Sequence, residues 1–307
     1  MAIKTLSNYN IANKNLLVRV DLNVPIENGK ISDNSRLISA IPTIKTIQSF
    51  GGKSILLSHF GRPNGLYNKE LSLKKIVPAL EKILNFPIKF SSELIGRNVL
   101  KIIDSLKSGE ILLLENTRFY AEEELNDENF SKELSKLGDI FCNDAFSVAH
   151  RAHASNVGVA KLLPNCIGHL MKKEIDALEN VLKKPKKPLT AVVGGAKIST
   201  KLDLLLNLIK KVDYLVIGGG MANTFLFAQG LQIGNSLCEK NLKETCLNVI
   251  SAAKDNNCEI ILPHDVVLAS EFVANTNFSI KDVKNIDRND MILDIGPSSC
   301  DKINKIF

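Results

Sequence analysis

Short, nearly continuous apolar runs recur along the chain, each followed by a stretch of helical periodicity. The runs at 16–20, 54–58, 111–115 and 140–143 fall in the first half. Those at 189–194, 214–218, 259–263 and 291–294 fall in the second. They are rich in Leu, Ile and Val and do not alternate with polar residues. Strands buried on both faces of a parallel sheet read this way. Between them, 35–50, 72–84, 127–137, 200–210 and 241–256 carry apolar residues at helical spacing. In the first of these the apolar positions are 37, 38, 41, 44 and 47, and Gly51-Gly52 closes it. Alternating strand and helix predicts an α/β fold built on mainly parallel sheets.

The pattern breaks near the middle. Residues 171–184 form one amphipathic helix with apolar Ile175, Leu178 and Leu182. The string Lys183-Lys184-Pro185-Lys186-Lys187-Pro188 then reads as a helix stop and connector. The expected organisation is a domain at 1–170, an interdomain helix and hinge at 171–187, and a second α/β domain at 188–307. A length of 307 residues accommodates two domains of about 100–200 residues each.

Composition removes several classes without choosing one. The 45% hydrophobic and 23% charged content is that of a globular protein, against disorder or a disulfide scaffold. The net charge of +6 suits an anionic ligand, but no dense basic run with interleaved aromatics suggests nucleic acid. The six Cys form no C-x-x-C pair and show no zinc-finger spacing. The first ten residues lack the apolar core of a signal peptide. No apolar stretch approaches the ~20 residues that span a bilayer. The expected setting is a reducing cytoplasm, with free thiols and no membrane partner.

Candidate chemistry gathers just past the strand runs, where open α/β sheets bind ligands. Arg19, Asp21, Asn23 and Pro25 follow the first run. The Asp and Asn, two apart, would share a face of an extended segment, and an Asx turn is the competing reading. Ser58-His59-Phe60-Gly61-Arg62-Pro63 follows the second. Glu115-Asn116-Thr117-Arg118-Phe119 follows the third. The fourth leads into a long small-residue segment in which Arg151 lies between His150 and His153. Two His three apart, with no Cys partner, make a weak zinc signature. Any one loop could be solvated surface. Three strand ends carrying Arg, with Arg36 at the start of the first helix, instead suit a small phosphorylated carboxylic acid. Arg forks would hold its charge, and Asp or Asn its hydroxyl.

The second half holds two glycine-rich turns. In Gly194-Gly195-Ala196-Lys197-Ile198-Ser199-Thr200-Lys201 the glycines would admit a phosphate and a helix N-terminus would supply free N–H groups. Lys197 and Lys201 would share a face if the first helical turn includes both, and would suit a polyphosphate. The turn at Gly218-Gly219-Gly220 fits an adenine or ribose, or a plain tight turn. It begins a G-x-G-x-x-G pattern that fails at Asn223. Gly52-Lys53-Ser54 mimics a Walker A end, but Ile47 stands where its first glycine belongs.

Together these strings resemble the phosphoglycerate kinase family. The carrying motifs are L-L-V-R-V-D-L-N-V-P at 16–25, S-H-F-G-R-P at 58–63, L-L-E-N-T-R-F at 113–119 and N-D-A-F-S-V-A-H-R-A-H-A-S at 143–155. V-G-G-A-K-I-S-T-K at 193–201 and I-G-G-G-M-A-N-T-F at 217–225 complete them. The resemblance implies two doubly wound parallel-sheet domains joined by a helix, in a monomeric, cytoplasmic, hinge-bending enzyme of glycolysis. By the match, Asp21, Asn23, Arg36, His59, Arg62, Arg118 and Arg151 hold 3-phosphoglycerate. Gly194, Gly195, Lys201 and Gly219 attend ADP or ATP with its Mg2+, and Arg36, Lys197 and Lys201 serve the transferring phosphoryl group. No side chain of the chain is assigned to the metal.

The resemblance departs at the end. Family members continue past Asp294-Ile295-Gly296-Pro297 through a Trp-Asn-Gly-Pro segment and a triple glycine with an Asp. This chain has no Trp and stops at Phe307. Smaller departures are Phe60, Ser147 and Thr200, where Leu, Gly and Asp are usual. The expectation is a second domain lacking its C-terminal part, with an unpaired strand edge and exposed apolar surface. The rival reading is a truncated, non-catalytic fragment that binds phosphoglycerate and transfers nothing.

Overall fold

The computed structural model describes residues 3–27, 29–183 and 185–307. The chain divides into two compact units, Met1–Glu179 and Asn180–Phe307.

Unit 1 is built on β1 (Asn15–Arg19), a small hairpin of β2 (Ile26–Glu27) and β3 (Lys30–Ile31), β4 (Lys53–Leu57), β5 (Lys89–Phe90), β6 (Ile111–Leu113), β7 (Ile140–Asn143) and β8 (Asn165–Ile167). Six of these form one sheet in the order β5-β6-β4-β1-β7-β8, every pair parallel. Side chains alternate between faces along a strand. Leu16 and Val18 enter one buried cluster with Leu56 and Leu113, and Leu17 enters a second with Ile55, Leu57 and Leu112. Both faces are covered, which is why the strands read as unbroken apolar runs. Helix α1 (Ser35–Ser49) buries Leu37, Ala40, Thr43, Ile44 and Ile47 and leaves Arg36 exposed. Further helices are α2 (Val77–Leu84), α3 (Arg97–Asp104), α4 (Ala121–Leu125), α5 (Glu128–Ser135), α6 (Val159–Leu162) and α7 (His169–Lys183). The helix expected from residue 72 opens as a 3-10 turn at Leu73–Ile76 before α2. Lys184, the expected last residue of the helix at 171–184, lies outside the described residues.

Unit 2 has β9 (Thr190–Gly194), β10 (Tyr214–Gly218) and β11 (Glu259–Ile261) in a parallel sheet of order β11-β10-β9. Its helices are α8 (Leu202–Leu208), α9 (Gly220–Ala228), α10 (Lys243–Asp255) and α11 (Pro297–Asn304). Leu205, Leu215, Met221, Phe225 and Val249 lie at the centre of its core. The run at 291–294 does not join this sheet. As β14 (Met291–Ile295) it pairs antiparallel with β12 (Asp265–Ala269), whose other edge takes β13 (Ser279–Asp282). Most of β14 is only half-buried, unlike a doubly covered parallel strand. Val192, Phe272 and Phe278 of this unit are exposed.

Candidate active site

The order of unit 1's sheet places the site. β1 lies at the reversal of strand order, with β4 on one side and β7 on the other. Ligands of open α/β sheets bind outside the carboxyl ends of strands at such a reversal. The loops leaving β1, β4, β6 and β7 there carry the four motif clusters. Asn23, Arg36, His59, Arg62, Arg118 and Arg151 line one cavity of about 250 Å³. Asp21 stands behind it. Its Oδ2 accepts from Arg36 Nη1 at 2.8 Å and from Ser147 Oγ at 2.6 Å, while its Oδ1 accepts from the Asn23 N–H at 3.0 Å. The Asx turn is therefore realised, and Asn23 lines the cavity. Asn23 Oδ1 in turn accepts the Gly61 N–H at 2.9 Å, tying the first loop to the second.

The exposed arginines stand on a buried polar frame. Asn116, at zero exposure, accepts from the Phe60 and Arg118 N–H groups and donates to the Phe60 and Leu71 carbonyls. Arg118 is itself buried. Its Nη1 donates to Gly61 O at 3.1 Å, and its Nε lies 3.2 Å from Glu124 Oε1. The Asn156 side-chain amide donates to Val148 O at 3.1 Å and Arg151 O at 2.8 Å, which folds the long loop so that Arg151 reaches the cavity.

The cavity is strongly cationic. Burial, and then the charges of Arg19, Arg118, Arg36 and Arg151, push the His59 imidazole down to about 2. Burial likewise lowers the Arg118 guanidinium. Both shifts mark a place where another positive charge is unwelcome and an anion is favoured. His150 is exposed, and His153 faces the buried Glu123 at 3.9 Å. The two gather no metal-binding group of three among the described residues.

In unit 2 the two glycine turns touch. Gly195 O accepts the Met221 N–H at 3.0 Å. Gly219 has φ +66°, and a Cβ there would meet Gly195 O at 2.9 Å. Only glycine allows that approach. Lys201 lies over the first turn: a Cβ at position 195 would stand 3.1 Å from Lys201 Cε. One expectation is corrected. Helix α8 begins at Leu202, with Lys201 as its N-cap, so Lys197 and Lys201 do not share a first helical turn. Ahead of that helix, the N–H groups directly after Lys197 are engaged. Glu239 Oε2 accepts from Ile198 N at 2.6 Å and Ser199 N at 3.1 Å, and Oε1 from Ser199 Oγ at 2.6 Å. A carboxylate of the protein already neutralises that turn, and these bonds hold Glu239 below the usual carboxylate range, the Ser199 hydroxyl foremost.

The family model for phosphoglycerate kinase matches residues 6–307. The chain belongs to the phosphoglycerate kinase family. It is 50% identical to the phosphoglycerate kinase of Ruegeria sp. (strain TM1040), over 100% of this chain and 78% of the relative. It is 52% identical to that of Bradyrhizobium diazoefficiens, over 98% and 75%. The structure of phosphoglycerate kinase from Coxiella burnetii superposes with a TM-score of 0.83 at 39% identity, covering 99% of this chain and 77% of that one.

Three features of the chain lie outside the motif reading. Asn156 sits one residue past a quoted motif, and its amide in a loop of small residues was the available signal. Glu239 lies 40 residues from Ser199, whose N–H and hydroxyl it accepts, with no local pattern to mark it. The third is a cavity of about 360 Å³ beside the glycine turns, lined by Gly219, Gly220, Leu237, Pro263, Val266 and Leu293 among others. Its apolar residues read in sequence like any core.

Proposed function

We propose that this chain transfers a phosphoryl group reversibly between 1,3-bisphosphoglycerate and ADP, giving 3-phosphoglycerate and ATP. The observation that carries the reading is the convergence of Arg36, Arg62, Arg118 and Arg151 with Asn23 and His59 on one small cavity. Four forked cations around about 250 Å³ suit a compact polyanion bearing both phosphate and carboxylate. In this assignment Asp21, Asn23, Arg36, His59, Arg62, Arg118 and Arg151 hold 3-phosphoglycerate, Asp21 and Asn23 facing its hydroxyl.

In unit 2, Gly194, Gly195 and Gly219 let nucleotide phosphates approach the backbone, and Lys201 meets them. The apolar cavity beside Gly219 takes the base. Magnesium arrives with the nucleotide as part of that substrate, neutralising its phosphate oxygens. Ion binding of this kind relies on substrate phosphates and water more than on a protein cage.

The reverse reaction explains the absence of a general base from the assignment. The acceptor is a carboxylate, already ionised at neutral pH. Its oxygen bonds to the γ-phosphorus as the bond to the ADP oxygen breaks, and no proton has to move. What the protein supplies is alignment and charge neutralisation. Arg36, Lys197 and Lys201 are assigned to the transferring group. We assign 1–170 to phosphoglycerate and 188–307 to the nucleotide, with 171–187 as the hinge, in a cytoplasmic monomer.

The test is a coupled assay of ATP formation by the 307-residue chain from 1,3-bisphosphoglycerate and magnesium ADP. The reading expects turnover that Arg118→Ala and Lys201→Ala each reduce. Saturable binding of both substrates without turnover would instead favour the non-catalytic alternative.

A further inference from the structure

Beneath the cationic cavity lies a polar relay that the substrate assignment does not use. Arg19, the last residue of β1, is 1% exposed. Its Nη1 donates to Val20 O at 2.7 Å, its Nε to Ser155 Oγ at 2.9 Å, and its Nη2 contacts His59 Nδ1 at 3.2 Å. Ser155 Oγ donates to Glu123 Oε1 at 2.5 Å, and the Ser155 N–H donates to Oε2 at 2.8 Å. Glu123 has zero exposure.

The contact at His59 decides a proton position. A guanidinium has only donors and does not give up its proton in a protein. Nδ1 must therefore present its lone pair, so the ring proton sits on Nε2. Nε2 has no hydrogen-bond partner among the described residues, and His59 lines the cavity.

We propose that Arg19 is a positioning residue for the phosphoglycerate site: it locks His59 as a neutral imidazole with its proton on Nε2, and Glu123, reached through Ser155, is the counter-charge that keeps the buried guanidinium in place. The substrate then meets one fixed, uncharged donor among the arginines. The proposal rests on the phosphoglycerate reading of this cavity.

The surroundings agree. The charged groups around His59 are Arg19 on β1, Arg36 on α1, and Arg62, Arg118 and Arg151 on the loops after β4, β6 and β7. Asp21 is already paired with Arg36 and Ser147. Nothing acidic faces the ring to favour an imidazolium, and burial disfavours it as well. Histidines commonly titrate near neutrality; this one does not, and its donor persists across that range.

The test is nitrogen-detected NMR of the whole chain, reading both His59 ring nitrogens from about pH 8 to about pH 5.5, where an ordinary histidine titrates. The expected spectrum shows Nδ1 unprotonated and Nε2 protonated throughout. Protonated Nδ1, or a ring that titrates in this range, overturns the proposal. A second arm compares Arg19→Met/Glu123→Gln, which removes both buried charges together, with Arg19→Lys. In the double variant His59 should lose its fixed tautomer, and 3-phosphoglycerate affinity should fall about tenfold, the order expected for one hydrogen bond. Magnesium ADP affinity should not move. Arg19→Lys should recover part of the loss if its ammonium reaches Nδ1. A double variant that retains the native tautomer and affinity contradicts the relay. If the native chain shows the locked tautomer but binds no 3-phosphoglycerate, the functional reading fails and the lock stands as a structural fact.

Discussion

The two candidate ligand regions are built from opposite materials. In unit 1 the contact surface is made of side chains, chiefly arginines, standing on buried amides and carboxylates such as Asn116, Asn156 and Glu123. In unit 2 it is made of backbone, where Gly195 and Gly219 meet with no room for a Cβ, and an apolar cavity lies alongside. A side-chain site loses affinity stepwise, one arginine at a time, because each is one of several. A backbone site fails as a whole when one atom is added. The difference also separates the forces: charge governs the first region, shape and burial the second.

The sharpest way to break the comparison is Gly219→Val. Its Cβ would press on the carbonyl of Gly195, and φ +66° is costly for a β-branched residue. Strain of about 1–3 kcal/mol is expected. Calorimetry should find magnesium ADP binding weakened by more than about 100-fold, with 3-phosphoglycerate binding unchanged.

Arg118→Ala tests the other side. It removes a buried, anchored cation and leaves Glu124, which is 46% exposed, free to solvate. Affinity for 3-phosphoglycerate should fall by about 2–4 kcal/mol, the range for losing one partner of a buried charge contact. Nucleotide affinity should hold, and the residual affinity should depend less steeply on salt.

Glu239→Gln probes a protein anion seated in the lysine turn. Its carboxyl is held below the ordinary glutamate range, so its stabilisation is present above that range. The stabilisation is lost as pH falls through the lowered folded value. Acid titration of unit 2 unfolding should show this loss in the native chain and less of it in the variant. Nucleotide affinity in the variant should drop only several-fold, about 1 kcal/mol.

The smallest expected effect is Ser147→Gly. It takes one of two donors from Asp21 Oδ2 while Arg36 Nη1 remains. Affinity for 3-phosphoglycerate should change by less than about fivefold, within the ~1 kcal/mol of one hydrogen bond. A deoxy analogue, lacking the hydroxyl assigned to Asp21, should be less sensitive still.

The same contrast explains what could be read before the structure. Doubly buried strands such as β1 and β4 announce themselves, because every position is apolar. Two-residue β5 and three-residue β8 do not, since a pair or trio of residues carries no period. β12 and β13 escaped for a related reason: they belong to an antiparallel sheet, with β13 mostly exposed, that the alternating strand–helix pattern does not foreshadow. Arginines clustered past strand ends are chemically conspicuous, so the unit 1 residues were nameable by number. The lysine turn was nameable too, but its backbone partner was not. Glu239 reaches the turn from far along the chain, past α8, β10 and α9, so nothing next to the turn announces it. Leu237, Pro263 and Leu293 are indistinguishable in sequence from core until folding lines them along a cavity.

The central claim is that two independently built regions serve two ligands. The most direct measurement titrates the 307-residue chain with 3-phosphoglycerate and, separately, with magnesium ADP, by calorimetry, alongside Arg118→Ala and Gly219→Val. The expected result is saturable 3-phosphoglycerate binding that only the arginine variant weakens strongly, and nucleotide binding that only the glycine variant weakens strongly. No 3-phosphoglycerate binding by a folded native sample, or loss of both ligands together in a folded single variant, would contradict it.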